Sequence, residues 1–185
     1  MKHVILASQS PRRKELMEQM GIPFEVIPSH SAEIIDTSKP LSEAIALVAY
    51  SKAKEVFLTH PDSVVIGSDT IVTIDNRILG KPKDNEEALK MLEELNGRVH
   101  QVITGVAILS AEGEETFSSV TDVEFYAMEE AELEDYVKSE NLLDKAGAYA
   151  IQGQGYRLVK GIHGDYYTVV GLPIALLAKK LKKYL

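Results

Sequence analysis

Apolar and polar positions recur along this chain with two periods, near two in some stretches and near 3.6 in others, which predicts a mixed α/β fold. Val4-Ile5-Leu6-Ala7 is an unbroken apolar run with the length of a short buried strand. Ser10-Pro11 then supplies an N-cap and a first helical residue, and predicts a helix to about Met20 that Gly21 closes. Phe24 to Pro28 predicts a second strand. Leu41 to Leu58 predicts a long amphipathic helix, with Ala44, Ile45, Val48, Ala49, Val56 and Phe57 on one stripe. A third strand starts at Val64-Val65-Ile66 and is expected to break at Gly67-Ser68-Asp69-Thr70 before resuming over Ile71 to Ile74.

The second half continues the alternation. Asp84 to Asn96 predicts a helix with a D-x-x-E cap (Asp84, Glu87), a Leu89/Leu92/Leu95 stripe and Gly97 as its stop. Val99 to Leu109 and Glu115 to Tyr126 predict a β-hairpin turning near Glu112-Gly113. Glu129 to Ser139 has the pattern of an acidic surface helix. Ala146 to Gly171 carries six glycines and predicts loops and short strands. Pro173 to Leu185 predicts a final helix, with Ile174, Leu177, Ala178 and Leu181 inward and Lys179, Lys180, Lys182 and Lys183 suited to a helix C-terminus.

Length adds that 185 residues make one domain, 1–185, or two small lobes sharing a core. A composition of 45% apolar and 26% charged residues excludes wholesale disorder. No apolar run approaches the roughly 18 residues of a membrane span, and the N-terminal apolar segment is too short for a signal peptide. The absence of cysteine excludes disulfides, thiolate nucleophiles and Cys-ligated zinc. These features predict a soluble, cytoplasmic chain with no membrane partner. Net charge is −8, from 20 Lys and Arg against 28 Asp and Glu, which argues against binding bulk nucleic acid. A small polyanion remains open, because a few clustered cations suffice to hold one.

The candidate chemistry lies where local rules are broken. Arg12 and Arg13 occupy the first turn of a helix, where acidic residues are preferred. With Ser8, Ser10 and free N–H groups they form a phosphate cradle, or else they pair with Glu15 or Glu18. Lys52 lies on or beside an apolar stripe, and either snorkels to solvent or aims at a buried phosphate. Asp69 falls in the expected strand break, as an Asx turn or as an aspartate for a divalent metal or a water proton. Lys81, between Gly80 and Pro82, is not explained by turn chemistry. Gln152, among glycines, is a surface turn residue or an amide offered to a flat polar ring. Glu33 is a further candidate that nothing local distinguishes from a solvated carboxylate. The five histidines lack metal-ligand spacing, and neither a P-loop nor a Rossmann fingerprint is present.

Leu6-Ala7-Ser8-Gln9-Ser10-Pro11-Arg12-Arg13, Ser51-Lys52-Ala53, Gly67-Ser68-Asp69-Thr70, Gly80-Lys81-Pro82, Thr104-Gly105-Val106 and Val170-Gly171-Leu172-Pro173 together resemble the Maf proteins, septum-formation-associated nucleotide pyrophosphatases. The resemblance spans essentially the whole chain, with the motifs in register. It implies an elongated, two-lobed α/β fold around a mixed twisted sheet, similar to the inosine triphosphate pyrophosphatases. It also implies hydrolysis of a nucleoside triphosphate between the α and β phosphates, a divalent metal ion (Mg²⁺ or Mn²⁺) and a homodimer. One branch of the family acts on dTTP and UTP, and another on 7-methyl-GTP. The second branch has tryptophan, glutamine and glutamate where this chain has Arg12, Thr70 and Gln152, so the resemblance is to the dTTP/UTP branch. It further implies Asp69 as proton acceptor, Arg12, Thr70 and Gln152 as specificity residues, and Ser8, Ser10, Arg13, Lys52 and Lys81 as phosphate contacts. Glu33 and Asp69 are the implied metal ligands. The family often has Asp-Glu where this chain has Ala32-Glu33, one carboxylate fewer. Two other readings remain: a nucleotide-binding regulator of division acting through a protein partner, and an inosine/xanthosine triphosphate hydrolase, against which Gln152 argues.

Overall fold

A computed structural model describes residues 2–185 of the chain. It contains one seven-stranded mixed sheet of order β2-β1-β3-β5-β6-β7, with β4 paired to β3. The strands are β1 (Val4–Leu6), β2 (Glu25–Val26), β3 (Val64–Ile74), β4 (Arg77–Leu79), β5 (Val99–Ser110), β6 (Gly113–Phe125) and β7 (Val159–His163). The helices are α1 (Pro11–Gln19), α2 (Leu41–Phe57), α3 (Asn85–Leu95), α4 (Glu130–Ser139), α5 (Tyr166–Val170) and α6 (Ile174–Leu181). Two short 3₁₀ turns, Ala146–Ala148 and Gly153–Arg157, lie in the glycine-rich stretch.

The chain divides into two compact units. The first comprises Met1–Thr70, Thr104–Ser119 and Gly171–Leu185. There β1 pairs in parallel with both β2 and β3, as alternating strand and helix dictate. Ile5, Ala7, Ala49, Ala53, Val56, Val65, Ala107 and Leu109 are buried together where α2 covers the sheet. The second unit comprises Ile71–Ile103 and Val120–Val170. Its core joins Val72, Leu92, Leu95, Phe125, Tyr136 and Tyr149. Within it β4 returns antiparallel on β3 through Asp75 and Asn76, both at positive φ (51° and 58°), the conformation Asx residues tolerate best after glycine.

The expected helices form, α1 and α3 where their caps place them. Ser10 Oγ accepts from Arg13 N, Asp84 Oδ1 accepts from Glu87 N, and Glu129 with Glu132 completes a capping box. Two expectations fail: α5 forms inside the glycine-rich stretch expected as loops and short strands, and β3 runs without a break through Gly67-Ser68-Asp69-Thr70. The glycine serves packing instead of a turn. A Cβ on Gly67 would lie 2.8 Å from Ala53 N of α2 and collide with Ala49 O, and one on Gly105 would lie 2.5 Å from Ile45 O. Two glycines on neighbouring strands therefore let the α2 backbone settle onto the sheet.

Candidate active site

Strand periodicity sorts the Gly67-Ser68-Asp69-Thr70 segment into two chemical faces. Gly67 and Asp69 share the face that α2 covers. Because Gly67 admits the helix so closely, Asp69 two residues on meets the α2 side chain at Lys52. Lys52 Nζ donates to Asp69 Oδ1 at 3.0 Å and to Glu33 Oε1 at 2.7 Å. The side chains of Lys52 and Asp69 are only 11% and 12% exposed, whereas Glu33 is 45% exposed. Lys52 thus does not snorkel to solvent; it is a buried ammonium shared by two carboxylates.

Glu33 reaches this point from an irregular segment that α2 also anchors. Glu55, one turn beyond Lys52, accepts from His30 N at 2.9 Å and Ser31 N at 2.8 Å, and from the Ser29 hydroxyl. Those bonds hold the Glu55 carboxyl below the usual carboxylate range, the Ser29 contact contributing most.

Ser68 and Thr70 belong to the opposite face of β3. Ser68 Oγ approaches the carbonyls of Gly105 (3.1 Å) and Gly171 (3.2 Å), and Thr70 Oγ1 shares a hydrogen bond with Thr104 Oγ1 at 2.9 Å. Arg13 closes this cluster from α1. Its Nε donates to Gly171 O at 2.8 Å, its Nη2 to Thr70 Oγ1 at 2.9 Å and its Nη1 to Ser8 Oγ at 3.5 Å. Gly171 adopts a φ of 134°, a conformation open to glycine, and its carbonyl receives both Arg13 and Ser68. Desolvation lowers the guanidinium's pKa, opposed by the charges of Asp69 and Glu33 and reinforced by Arg12. Arg13 nonetheless remains cationic, as arginine does in proteins.

The phosphate cradle expected at the start of α1 is therefore partly committed within the chain. Ser10 N donates to Ser8 Oγ at 3.2 Å, and Arg13 N to Ser10 Oγ at 3.3 Å, so two of the turn's N–H groups already have partners. Ser8, Ser10, Arg12, Arg13, Glu33, Lys52, Asp69 and Thr70 all belong to the first unit. Lys81 and Gln152 belong to the second. There Lys81 is exposed, and the Gln152 carbonyl accepts from Gly155 N at 3.2 Å. Gly147 N donates to Gly80 O at 3.1 Å, tying the Lys81 motif to the stretch leading to Gln152.

Among the described residues, no group of three or more His, Cys, Asp or Glu is placed to hold a metal ion. Glu33 and Asp69 converge on one cationic point. Two carboxylates suit Mg²⁺ or Mn²⁺ when substrate phosphates complete the coordination.

A model of the Maf family, described as "Maf-like protein", matches residues 3–184. The chain belongs to the Maf family. Its relatives include a protein of Bacillus cytotoxicus (strain DSM 22905 / CIP 110041 / 391-98 / NVH 391-98) named dTTP/UTP pyrophosphatase. That protein is 50% identical over 184 residues, which cover 100% of this chain and 96% of the relative. A Bacillus velezensis protein of the same name is 48% identical over 183 residues, 99% of this chain and 97% of the relative. Two solved structures align in part. The nucleoside-triphosphatase / dITP/XTP pyrophosphatase from Mycobacterium abscessus has a TM-score of 0.43 at 15% identity, covering 68% of this chain and 75% of that one. The Staphylococcus aureus Ham1 protein has a TM-score of 0.45 at 16% identity, covering 67% and 72%.

Within this Maf chain, the structure adds Ser68, Thr104 and Gly171 to the residues surrounding Arg13 and Thr70, along with Glu55 behind the Glu33 segment. Thr104 and Gly171 stand inside motifs already visible in the sequence. Glu55 carries no such signal, since an exposed glutamate on a helix is ordinary.

Proposed function

We propose that this protein is a nucleoside triphosphate pyrophosphatase that hydrolyses dTTP and UTP to the monophosphate and pyrophosphate. The observation that carries the reading is the meeting of Asp69 and Glu33 on Lys52 Nζ in the same unit as the Arg13 cluster. A buried carboxylate beside fixed cations is what attack of water on a phosphate ester requires. The full-length resemblance to proteins named dTTP/UTP pyrophosphatase supports the substrate class.

In this mechanism Asp69 orients a water molecule and accepts its proton as the water oxygen bonds to the α phosphorus. The bond to the bridging oxygen breaks, and pyrophosphate leaves with the electron pair. Arg12, Arg13, Lys52 and Lys81 offset the charge developing on the phosphates, with Ser8 and Ser10 as neutral donors. Arg13, clamped by Gly171, Thr70 and Ser8, acts as a fixed charge instead of a searching one. A divalent ion, Mg²⁺ or Mn²⁺, held by Glu33 and Asp69, would neutralise phosphate charge when bound.

Gln152 is assigned to the base by its motif. Its amide offers both donors and an acceptor, matching the carbonyl–NH–carbonyl edge of uracil and thymine. Arg12 and Thr70 are assigned with it as specificity residues. Thr70 acts through Arg13, which it receives directly. We further place the reaction in the cytoplasm, in agreement with a cysteine-free chain, and expect a homodimer, which light scattering reads directly.

The deciding experiment measures pyrophosphate release over a panel of natural triphosphates with added Mg²⁺ or Mn²⁺. dTTP and UTP should lead the panel, and Asp69→Asn should slow turnover by about 10²–10⁴-fold while leaving the fold intact. Purified protein that releases pyrophosphate from no nucleotide would end the proposal.

A further inference from the structure

Lys52 occupies the point on which the two carboxylates of the proposed mechanism converge, 2.7 Å from Glu33 Oε1 and 3.0 Å from Asp69 Oδ1. With the Lys52 and Asp69 side chains almost fully covered, solvent screens this pairing little. Parting a buried carboxylate from its cation is strongly disfavoured unless another cation replaces it. The same holds for the ammonium, which needs acceptors for its three protons.

The two carboxylates at this point are already held by a cation, and Arg13 feels both of their charges. A divalent cation arriving alone would have to evict Lys52 from both carboxylates with no anion offered in return. A triphosphate changes this, because it brings negative charge and supplies oxygen acceptors for the displaced ammonium.

We infer that Lys52 is an exchangeable counter-ion: it neutralises Glu33 and Asp69 in the substrate-free protein and transfers to the phosphates when divalent cation and triphosphate enter together. The inference rests on the proposed assignment of Glu33 and Asp69 as metal ligands. It makes the substrate-free protein a poor metal binder by construction, and it couples the two ligands. By linkage, each raises the affinity for the other by the same factor. A lysine serving only as a permanent tie between α2 and β3 would produce no such coupling.

The test titrates Mn²⁺ alone into the intact protein and follows it by water-proton relaxation. The titration is repeated with a non-hydrolysable α,β-methylene analogue of UTP, the analogue's own Mn²⁺ binding being subtracted. Wild-type protein should bind Mn²⁺ weakly alone and on the order of tenfold or more tightly with the analogue. Lys52→Met, and independently Lys52→Gln, should bind Mn²⁺ alone on the order of tenfold more tightly than wild type, with the analogue's enhancement reduced in proportion. If neither variant gains affinity for Mn²⁺ alone, the counter-ion role is overturned. Adding Glu33→Gln or Asp69→Asn to Lys52→Met separates the two ideas. Loss of the gained site supports both, whereas a gain that survives both substitutions overturns the ligand assignment and the inference with it. Loss of analogue-dependent Mn²⁺ binding in Glu33→Gln and Asp69→Asn, with no gain in Lys52→Met or Lys52→Gln, retains the ligands and removes only the exchange.

Discussion

Individual residues in this site act through what holds them as much as through their own charge. Arg13 illustrates this, because its fork contacts Gly171 O, Thr70 Oγ1 and Ser8 Oγ and so presents one fixed orientation. A lysine keeps the charge and loses the planar fork. Arg13→Lys should therefore lower stability by about 1–3 kcal/mol, the usual worth of hydrogen bonds made by a charged group. It should also depress kcat/KM, and urea unfolding alongside steady-state kinetics checks both. Glu55 holds the segment carrying Glu33 by bonding successive residues. Glu55→Ala should expose the His30 and Ser31 amides to faster hydrogen exchange, whereas Glu55→Gln, which keeps an acceptor, should largely retain their protection.

At the scale of elements, the decisive contact is the closeness of α2 to β3 and β5. Gly67 and Gly105 have no room for a Cβ because the α2 backbone sits on them, and main chain cannot swing away as a long side chain can. Gly67→Ala or Gly105→Ala should cost about 1–3 kcal/mol or more, the range for overpacking a well-filled core. Such variants should also lose activity beyond what stability explains, because lifting α2 carries Lys52 away from Asp69. Circular dichroism melts combined with turnover under folding conditions distinguish the two losses. The first turn of α1 is less demanding. Ser10→Ala removes one N-cap bond, and about 1 kcal/mol of stability should go with it.

For the whole molecule, the acid side of the stability curve depends on one buried histidine. His100 is buried in the second unit, where Nε2 lies 2.6 Å from Tyr149 Oη, the ring packs edge-on against Phe125 and Tyr149, and Nδ1 has no hydrogen-bond partner. Protonation would leave a buried N–H unmatched. Burial accordingly lowers the His100 pKa to about 4, against a small opposing pull from Asp122. Between that value and 6.5 the unfolded chain binds a proton that the folded chain refuses, so stability rises with pH across this window and is lost on acidification. At about 1.4 kcal/mol per unit, the loss on descending the window is roughly 3 kcal/mol. His100→Gln should flatten the dependence between pH 6.5 and 4 by about one proton, as urea midpoints across that range will register. No helix among the described residues is long and apolar enough to cross a membrane.

The sequence by itself determined most of the elements and singled out the residues to which the chemistry is assigned. Caps at Ser10 and Asp84 located two helices because capping is a local interaction, read within four residues. The alternation of strand and helix periods identified a mixed α/β fold, and the structure then showed β1 paired in parallel with both β2 and β3. Lys52 stood out because a charge on an apolar helix stripe breaks the pattern, and Asp69 because it fell where the strand was expected to break. Only the tertiary structure decided who the partners were. Glu33 stands 19 residues from Lys52 in sequence, and Gly171 stands 158 from Arg13, separations across which no local pattern carries information. The expected break at Gly67 turned out to be a packing contact, since a glycine that frees the backbone and a glycine that clears space for a neighbouring helix are the same letter until that helix is in place.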